Sequence, residues 1–380
     1  MAVFRNSGVL SPHYTPVRLI HREREMELLK KNLEKTIHNI HQTYPAVLQI
    51  QGGVGAGKTT LSLKAGRWLE DEGRRNGLPI RHIYVNLRMF SGGRVPIYRY
   101  IVRMVSEDIY SPSLSAGELL NNLIRYLGKT STYALMIFDE VDHHVRQSMD
   151  NSLIYDFTRL PELAGGSTVN ILGSIFISRE GEFRKYLGRT ELSSLGAHII
   201  HLQPYNSRQV YDILYARAAE AFHEGAISDD ILEFVAEKTA SPPINGDIRF
   251  GLDVLLYAGT IAESSGRRHV GLEDVRKVIA GLGAVVESQW IEELKVDEVI
   301  ALKALTRLLK YSGKPTASLE DIRRMCDVVA EEMGVYKLSN LRKVLQSLEM
   351  LGVIYRDGSG GLGVRDIDLA SLERYLERFV

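Results

Sequence analysis

The residues most specific for chemistry lie in the stretch QGGVGAGKTT, where Gly52 is followed after four residues by Gly57, Lys58 and Thr59. That spacing is the phosphate-binding pattern of a P-loop. Backbone N–H groups approach phosphate oxygens closely only where no Cβ intervenes, and a helix starting at the loop adds the positive end of its dipole. Lys58 reaches the outer phosphates, and the Thr59 hydroxyl offers an oxygen to Mg²⁺. The expected nucleotide contacts are therefore Gly52, Gly53, Val54, Gly55, Ala56, Gly57, Lys58, Thr59 and Thr60. About 80 residues downstream, Asp139 and Glu140 close the apolar run of MIFDEVD. In phosphoryl-transfer sites one such carboxylate joins the P-loop hydroxyl at the metal and another stands beside the attacking water. Thr59 and Asp139 are thus expected at the metal, and Glu140 with Asp139 in catalysis. His143 and His144 diverge by about 100° on a helix and have no cysteine or carboxylate cluster beside them, which argues against a metal site there.

A strand must deliver the chain to the loop and a helix must carry it away. AVLQI supplies the strand, and Pro45 separates it from the helical periodicity of Glu23 to about His41. TTLSLKAGRWLEDEG then reads as a helix ending near Gly73, and RHIYVNL as the next strand. YALMIFDE and VNILGSIFIS are short apolar runs rich in β-branched and aromatic residues, as buried parallel strands are. The order predicts a wound α/β domain to about residue 200. From Asn206 to about Ala284 the pattern is helical only, broken by Ser, Pro and Gly. From near Val296 three helical segments lead into VIYRDGSGGLGVRDI, two short strands about a glycine-rich turn. The boundaries that follow are 1–200, 201–288 and 289–380.

Composition narrows the classes. With 44% apolar and 25% charged residues, the 380-residue chain is globular rather than disordered. Cationic and anionic residues both total 47, so no chain-wide basic field exists and any contact with nucleic acid must be local. Cys326 is the only cysteine, which rules out an internal disulfide or a cysteine metal cluster. The first residues lack an apolar signal core and the apolar runs are too short to cross a bilayer, so a cytoplasmic protein with no membrane segment is expected.

Five segments in order, YTPVRLIHREREMELL, DEVD, SSLGAHIIHLQPY, GDIRFGLD and LSNLRKVLQSLEMLGVI, together resemble the archaeal origin-recognition and cell-division-control type replication initiators of the AAA+ class. The match spans most of the chain. The resemblance implies an α/β P-loop AAA+ base domain with a parallel sheet and flanking helices in 1–200. It further implies an all-helical lid in 201–288 and a C-terminal winged-helix domain in 289–380 that binds double-stranded origin DNA. ATP or ADP with Mg²⁺ would be the ligand, and slow hydrolysis a conformational switch. Paralogous initiators and the replicative helicase would be further partners of a nucleoid-associated protein. By the same resemblance Val17, Arg18 and Leu19 line the adenine pocket, and Arg249 of GDIR senses the γ-phosphate.

Two positions depart from that family. Where related initiators usually carry Ile-Ser-Asn, this chain reads Ile177-Ser178-Arg179, so the residue that helps position water is displaced or lost. Ahead of SSLG the family generally has an arginine for a neighbouring subunit; here Thr190 stands there, with Arg189 one residue earlier. Such an arginine is worth about 10³-fold or more in phosphoryl transfer, so the nucleotide is expected to be held rather than spent. In the third domain Leu341, Val344, Leu345, Leu348 and Leu351 make an apolar stripe, leaving Ser339, Asn340, Arg342, Lys343 and Gln346 for bases and phosphates. Arg356 and Arg365 flank the otherwise uncharged wing loop. Residues 290–380 hold 14 Lys and Arg against 15 Asp and Glu, so binding would rest on a few placed cations. Two other readings stay open: a helicase loader or other remodelling ATPase, and a nucleotide-regulated signalling ATPase whose winged helix never meets DNA.

Overall fold

The computed structural model describes the chain except residues 1, 13, 39, 41–43, 91, 149–151, 165–168, 180, 197, 280, 282–293, 313, 315, 335–339, 352, 358–359, 365–368 and 377–380. Five parallel strands form its main sheet: β1 (Ala46–Gly52), β2 (Ile80–Asn86), β3 (Tyr133–Asp139), β4 (Ile171–Ser178) and β5 (Ile199–Leu202), in the order β2-β3-β4-β1-β5. The sheet is covered on both faces, as parallel sheets require, so all eight residues of β4 are buried. One layer packs Leu48, Ile50, Leu135, Ile137, Ile175 and Ile177 against α1 (Glu23–His38) and α2 (Lys58–Arg75). The other packs Phe138 and Phe176, stacked with ring centres 5.5 Å apart, against α3 (Arg94–Val105), α4 (Ala116–Lys129), α5 (Val141–Ser148) and α6 (Ser152–Thr158). A short helix α7 (Leu160–Leu163) precedes β4, and α8 (Arg189–Leu195) precedes β5.

The strands predicted from AVLQI, RHIYVNL, YALMIFDE and VNILGSIFIS are all present. Two details differ. α2 runs past Gly73 to Arg75, because Gly73 is buried inside the helix where a Cβ would fall 2.6 Å from Ile80 Cγ1. The glycine serves close packing rather than termination. β5 was not expected as a strand: it is a four-residue edge pairing only with β1, too short to show a period.

After β5 come α9 (Ser207–Ala221), capped by a reciprocal Asn206–Gln209 box, α10 (Asp229–Ala240) and α11 (Ile248–Ser264). The first residues of the chain are tied to α9. Phe4 bridges to Phe222 with ring centres 4.9 Å apart, and Arg217 of α9 donates to Val9 O at 2.9 Å and covers the Tyr14 ring.

The described residues cluster into two units, with the division inside α11: Met1–Leu256 with Gly266–His269, and Tyr257–Ser265 with Val270–Val380. The second unit contains α12 (272–279), α13 (Val296–Ser312), α14 (Leu319–Glu332), α15 (Leu341–Met350), an antiparallel β6 (Ile354–Arg356) and β7 (Leu362–Val364), and α16 (Leu369–Leu376). Ala317 bridges to Leu362, so three helices and a hairpin share one core of Leu302, Leu305, Ile322, Cys326, Leu345 and Leu348. This is the helix-helix-helix-hairpin order of a winged helix. Of the expected α15 stripe, Leu351 falls at the C-terminal cap and is half exposed, whereas Leu345 and Leu348 are fully buried. No helix among the described residues is long and apolar enough to cross a membrane.

Candidate functional site

The P-loop leaves β1 and enters α2 through two left-handed glycines, Gly55 at φ 66° and Gly57 at φ 88°, the latter capping the helix. A side chain at either position would be strained by backbone conformation alone. Lys58 Nζ donates to the carbonyls of Gly52 at 2.8 Å and Gly53 at 2.7 Å. Burial lowers its pKa, a shift partly opposed by Asp139 and Glu140. Thr59 Oγ1 donates to Asp139 Oδ2 at 2.6 Å, bringing the end of β3 to the loop across the sheet.

Tyr84 also donates to Asp139 Oδ2, at 2.9 Å, and the backbone N–H of Glu140 donates to Oδ1 at 2.9 Å. Burial, and then the negative charge of Asp139, push the Tyr84 pKa up, so its hydroxyl stays protonated and donating. Asp139, with 5% of its surface exposed, is held by three donors and cannot swing away. Glu140 follows at φ 59°, a left-handed conformation that costs a non-glycine residue about 1–3 kcal/mol and recurs at functional sites. Its carboxylate lies 3.6 Å from Arg179 Nε at the end of β4.

These groups face a cleft of about 850 Å³. Its walls include Val17, Arg18, Leu19, Gly55, Gly57, Lys58, Thr59, Thr60, Asp139, Glu140 and Arg249, so residues predicted from four distant segments meet at one place. Gly52, Gly53, Val54 and Ala56 form the rest of the loop and do not line the cleft; Ala56 is buried and Val54 is exposed. The size suits a nucleotide. Val17 is held by Lys64 Nζ, which donates to its carbonyl at 2.5 Å, and His21 Nε2 is 2.8 Å from Asp212 on α9. Two hard oxygen donors, Thr59 Oγ1 and Asp139 Oδ2, already adjacent, fit Mg²⁺, which takes few protein ligands beside phosphate oxygens. Among the described residues no group of three or more His, Cys, Asp and Glu side chains is arranged to hold a metal.

Several supports were not legible as site residues. Arg22, 3% exposed, donates to Ala56 O at 3.2 Å and Gln203 O at 2.6 Å and lies over the Tyr205 ring at 4.0 Å. A Cβ on Gly57 would come within 3.1 Å of Tyr205 Oη, so Arg22 and Tyr205 brace the loop from behind. Asp247, just ahead of α11, accepts from Arg249 N at 2.9 Å and packs so closely on the loop that a Cβ at Gly55 would fall 1.8 Å from its Oδ1. Burial raises its pKa. Arg249 is exposed on the cleft wall.

In the second unit Arg342, Lys343 and Gln346 share the exposed face of α15. Asn340 is the N-cap, its Oδ1 accepting from Lys343 N at 3.3 Å, and is committed to the helix start. Arg356 Nε is paired with Glu349 at 2.9 Å. Ser339 and Arg365 lie outside the described residues.

A P-loop, a carboxylate pair and a parallel sheet of order β2-β3-β4-β1-β5 define a P-loop ATPase of the AAA+ class. Residues 41–187 match the AAA domain family model and residues 211–280 that of the Cdc6 AAA+ ATPase-type lid domain. The ORC1-type DNA replication protein of Thermococcus kodakarensis is 26% identical over 361 residues, covering 93% of this chain and 84% of that protein. ORC1-type DNA replication protein 1 of Archaeoglobus fulgidus is 27% identical over 354 residues, covering 93% and 83%. Among solved structures, the ORC2 protein of Aeropyrum pernix superposes with a TM-score of 0.80 at 22% identity, covering 100% of this chain and 98% of that one. The ORC1 protein of Aeropyrum pernix in complex with DNA gives 0.69 at 26% identity, covering 99% and 97%. The chain thus carries an AAA domain followed by a Cdc6-type lid and is similar over most of its length to archaeal ORC1-type DNA replication proteins.

Proposed function

We propose that the chain is an ATP- and ADP-binding DNA replication initiator that recognises double-stranded origin DNA through its winged helix and AAA+ domain, with slow ATP hydrolysis as a conformational switch. The observation that carries the reading is the convergence of Lys58, Thr59, Asp139, Glu140 and Arg249 on one cleft, in a chain whose other unit is a winged helix with an exposed Arg342, Lys343 and Gln346. The ORC1-type relatives support the replication role. In this reading residues 1–200 are the base, 201–288 the lid and 289–380 the DNA-binding domain of a cytoplasmic, nucleoid-associated protein. Paralogous initiators and the replicative helicase are its further partners.

The residues divide the work as follows. Loop N–H groups and Lys58 bind the phosphates, Val17, Arg18 and Leu19 hold the base, and Arg249 faces the terminal phosphate. Thr59 and Asp139 hold Mg²⁺, which when bound neutralises phosphate charge. Glu140 accepts a proton from water. Thr190, which stands where the family's intersubunit arginine is expected, and its neighbour Arg189 are both exposed at the start of α8. Without a threonine-for-arginine exchange there, hydrolysis would be faster, so turnover well below about 1 s⁻¹ is expected. The test is to denature purified protein and measure released nucleotide, then to follow multiple-turnover hydrolysis. Bound adenine nucleotide, mostly ADP, with slow turnover supports the reading. Protein that carries none and binds neither added ATP nor ADP sinks it, and rapid turnover abolished by Glu140→Gln moves the remodelling-ATPase reading ahead.

A further inference from the structure

Arg179 follows β4 directly, and β4 is paired through its length with β1, whose end becomes the P-loop. The register sets Gln51 beside Ser178, so the next residue on the β4 side opens into the nucleotide cleft next to the end of β3. There the Arg179 guanidinium meets the Glu140 carboxylate, Nε to Oε2 at 3.6 Å, with 29% and 25% of the two side chains exposed. Glu140 has little freedom to avoid this partner. Its backbone is fixed in a left-handed conformation, its N–H is committed to Asp139 Oδ1, and its carbonyl accepts from His143 N and His144 N at the start of α5.

The chemistry of an arginine at this position is one-sided. A guanidinium has donors only and can neither accept a proton from water nor be deprotonated. An amide of similar reach would offer a carbonyl oxygen to a water hydrogen as well as an N–H to the carboxylate. Arg179 therefore stands 3.6 Å from Oε2 of Glu140, an oxygen that a reacting water needs, and gives that water nothing in return. The pair is partly solvated, so it competes with water for the carboxylate without excluding it, as a restraint and not a lock.

We infer that Arg179 is a positioning residue that restrains hydrolysis by holding Glu140 in an ion pair, away from the attacking water. The inference rests on the reading of Glu140 as the general base. In the step concerned, a water oxygen bonds to the γ-phosphorus while one of its protons passes to the Glu140 carboxylate. The bond from that phosphorus to the β–γ bridging oxygen breaks, ADP leaves with the electron pair, and inorganic phosphate is released. No further reactant is needed. A cation that occupies the carboxylate lowers the fraction of molecules in which the proton has somewhere to go, and changes kcat more than nucleotide affinity.

The experiment measures steady-state ATP hydrolysis and equilibrium binding of a fluorescent ADP analogue, with the intact chain, for wild type, Arg179→Asn, Arg179→Lys and Arg179→Asn combined with Glu140→Gln. Arg179→Asn should raise kcat about tenfold, a fraction of the roughly 100-fold or more that a well-placed general base supplies, with ADP affinity and KM within about threefold of wild type. Arg179→Lys, which keeps a cation but loses the planar fork, should give a smaller rise. Adding Glu140→Gln should erase the gain. If Arg179→Asn melts early, Arg179→Gln carries the same test. A fall or no change in kcat with ADP binding intact overturns the inference, because Arg179 then serves the phosphate and not Glu140. A rise that survives Glu140→Gln overturns it too. If wild type itself binds no nucleotide, the ATPase reading and this inference fall together, whereas binding without the rise removes the inference alone.

Discussion

Lys58 reaches back to the carbonyls of Gly52 and Gly53, and Thr59 reaches across to Asp139, so two residues of one motif knit the loop to itself and to β3. Lys58→Ala removes both the intraloop bonds and the phosphate charge; adenine nucleotide released on denaturation should fall below detection by ion-exchange analysis. Asp247 makes a sharper case. Its half-buried carboxylate packs on the loop where phosphate is to bind, and Asn in its place can still accept from Arg249 N. Asp247→Asn should therefore raise the melting temperature and tighten ADP binding at neutral pH. The sign is fixed by the raised pKa: a group protonated more readily when folded stabilises fully below its ordinary value of 3.8 and loses that contribution as pH rises through the folded value. The melting gap between variant and wild type should thus be widest at neutral pH and close as pH falls toward 4. At this scale the meeting of the P-loop, Asp139 and Glu140 at one cleft was legible because each follows a motif with a chemical reason, whereas Arg249 entered only through the family resemblance. Tyr84, Arg22, Tyr205 and Asp247 were not, since a tyrosine within a strand or an arginine before a helix carries no local sign of a contact made with a remote segment.

At the scale of elements, alternation and apolar runs found four strands of the five-stranded sheet, and the missing β5 is the one whose burial comes from a single neighbour. Gly73 misled the reading of α2 because a glycine needed for close packing against Ile80 looks the same in sequence as one that ends a helix. The first twenty residues have no regular pattern, yet they matter: Phe4, Val9 and Tyr14 are tied to α9, and that tie leads the chain to Val17–Leu19 at the cleft. α15 was read more fully. Its apolar stripe and polar face follow from helical period alone, with only the end residue Leu351 misplaced. Leu345 is 1% exposed in the core shared by three helices and the hairpin. Leu345→Ala should cost about 2–5 kcal/mol in urea unfolding and weaken DNA binding only as far as it unfolds the unit. Arg356 teaches the opposite lesson, that a cation free in sequence is committed in structure. Its pair with Glu349 means that Arg356→Ala should weaken DNA binding less than Lys343→Ala, as read by titrating one labelled duplex with both variants.

For the whole molecule, equal numbers of cationic and anionic residues exclude binding through a general field and place the burden on a few side chains. Arg342, Lys343 and Gln346 on the exposed face of α15 are the described residues suited to it. In the proposed function this nucleotide-binding chain reads DNA sequence through its winged helix. The direct measurement is equilibrium binding of ADP-loaded wild type and Arg342→Ala to an origin-derived duplex and a random duplex of equal length across a salt series. A bidentate arginine on guanine is worth about 1–3 kcal/mol of discrimination, whereas a phosphate contact weakens all sequences alike and lowers the salt slope by about one. Wild type should prefer the origin duplex, with moderate affinity that falls steeply with salt, and Arg342→Ala should lose more on that duplex than on the random one. Equal binding of both duplexes by wild type, or full origin affinity in a folded Arg342→Ala, Lys343→Ala double variant, would contradict that reading.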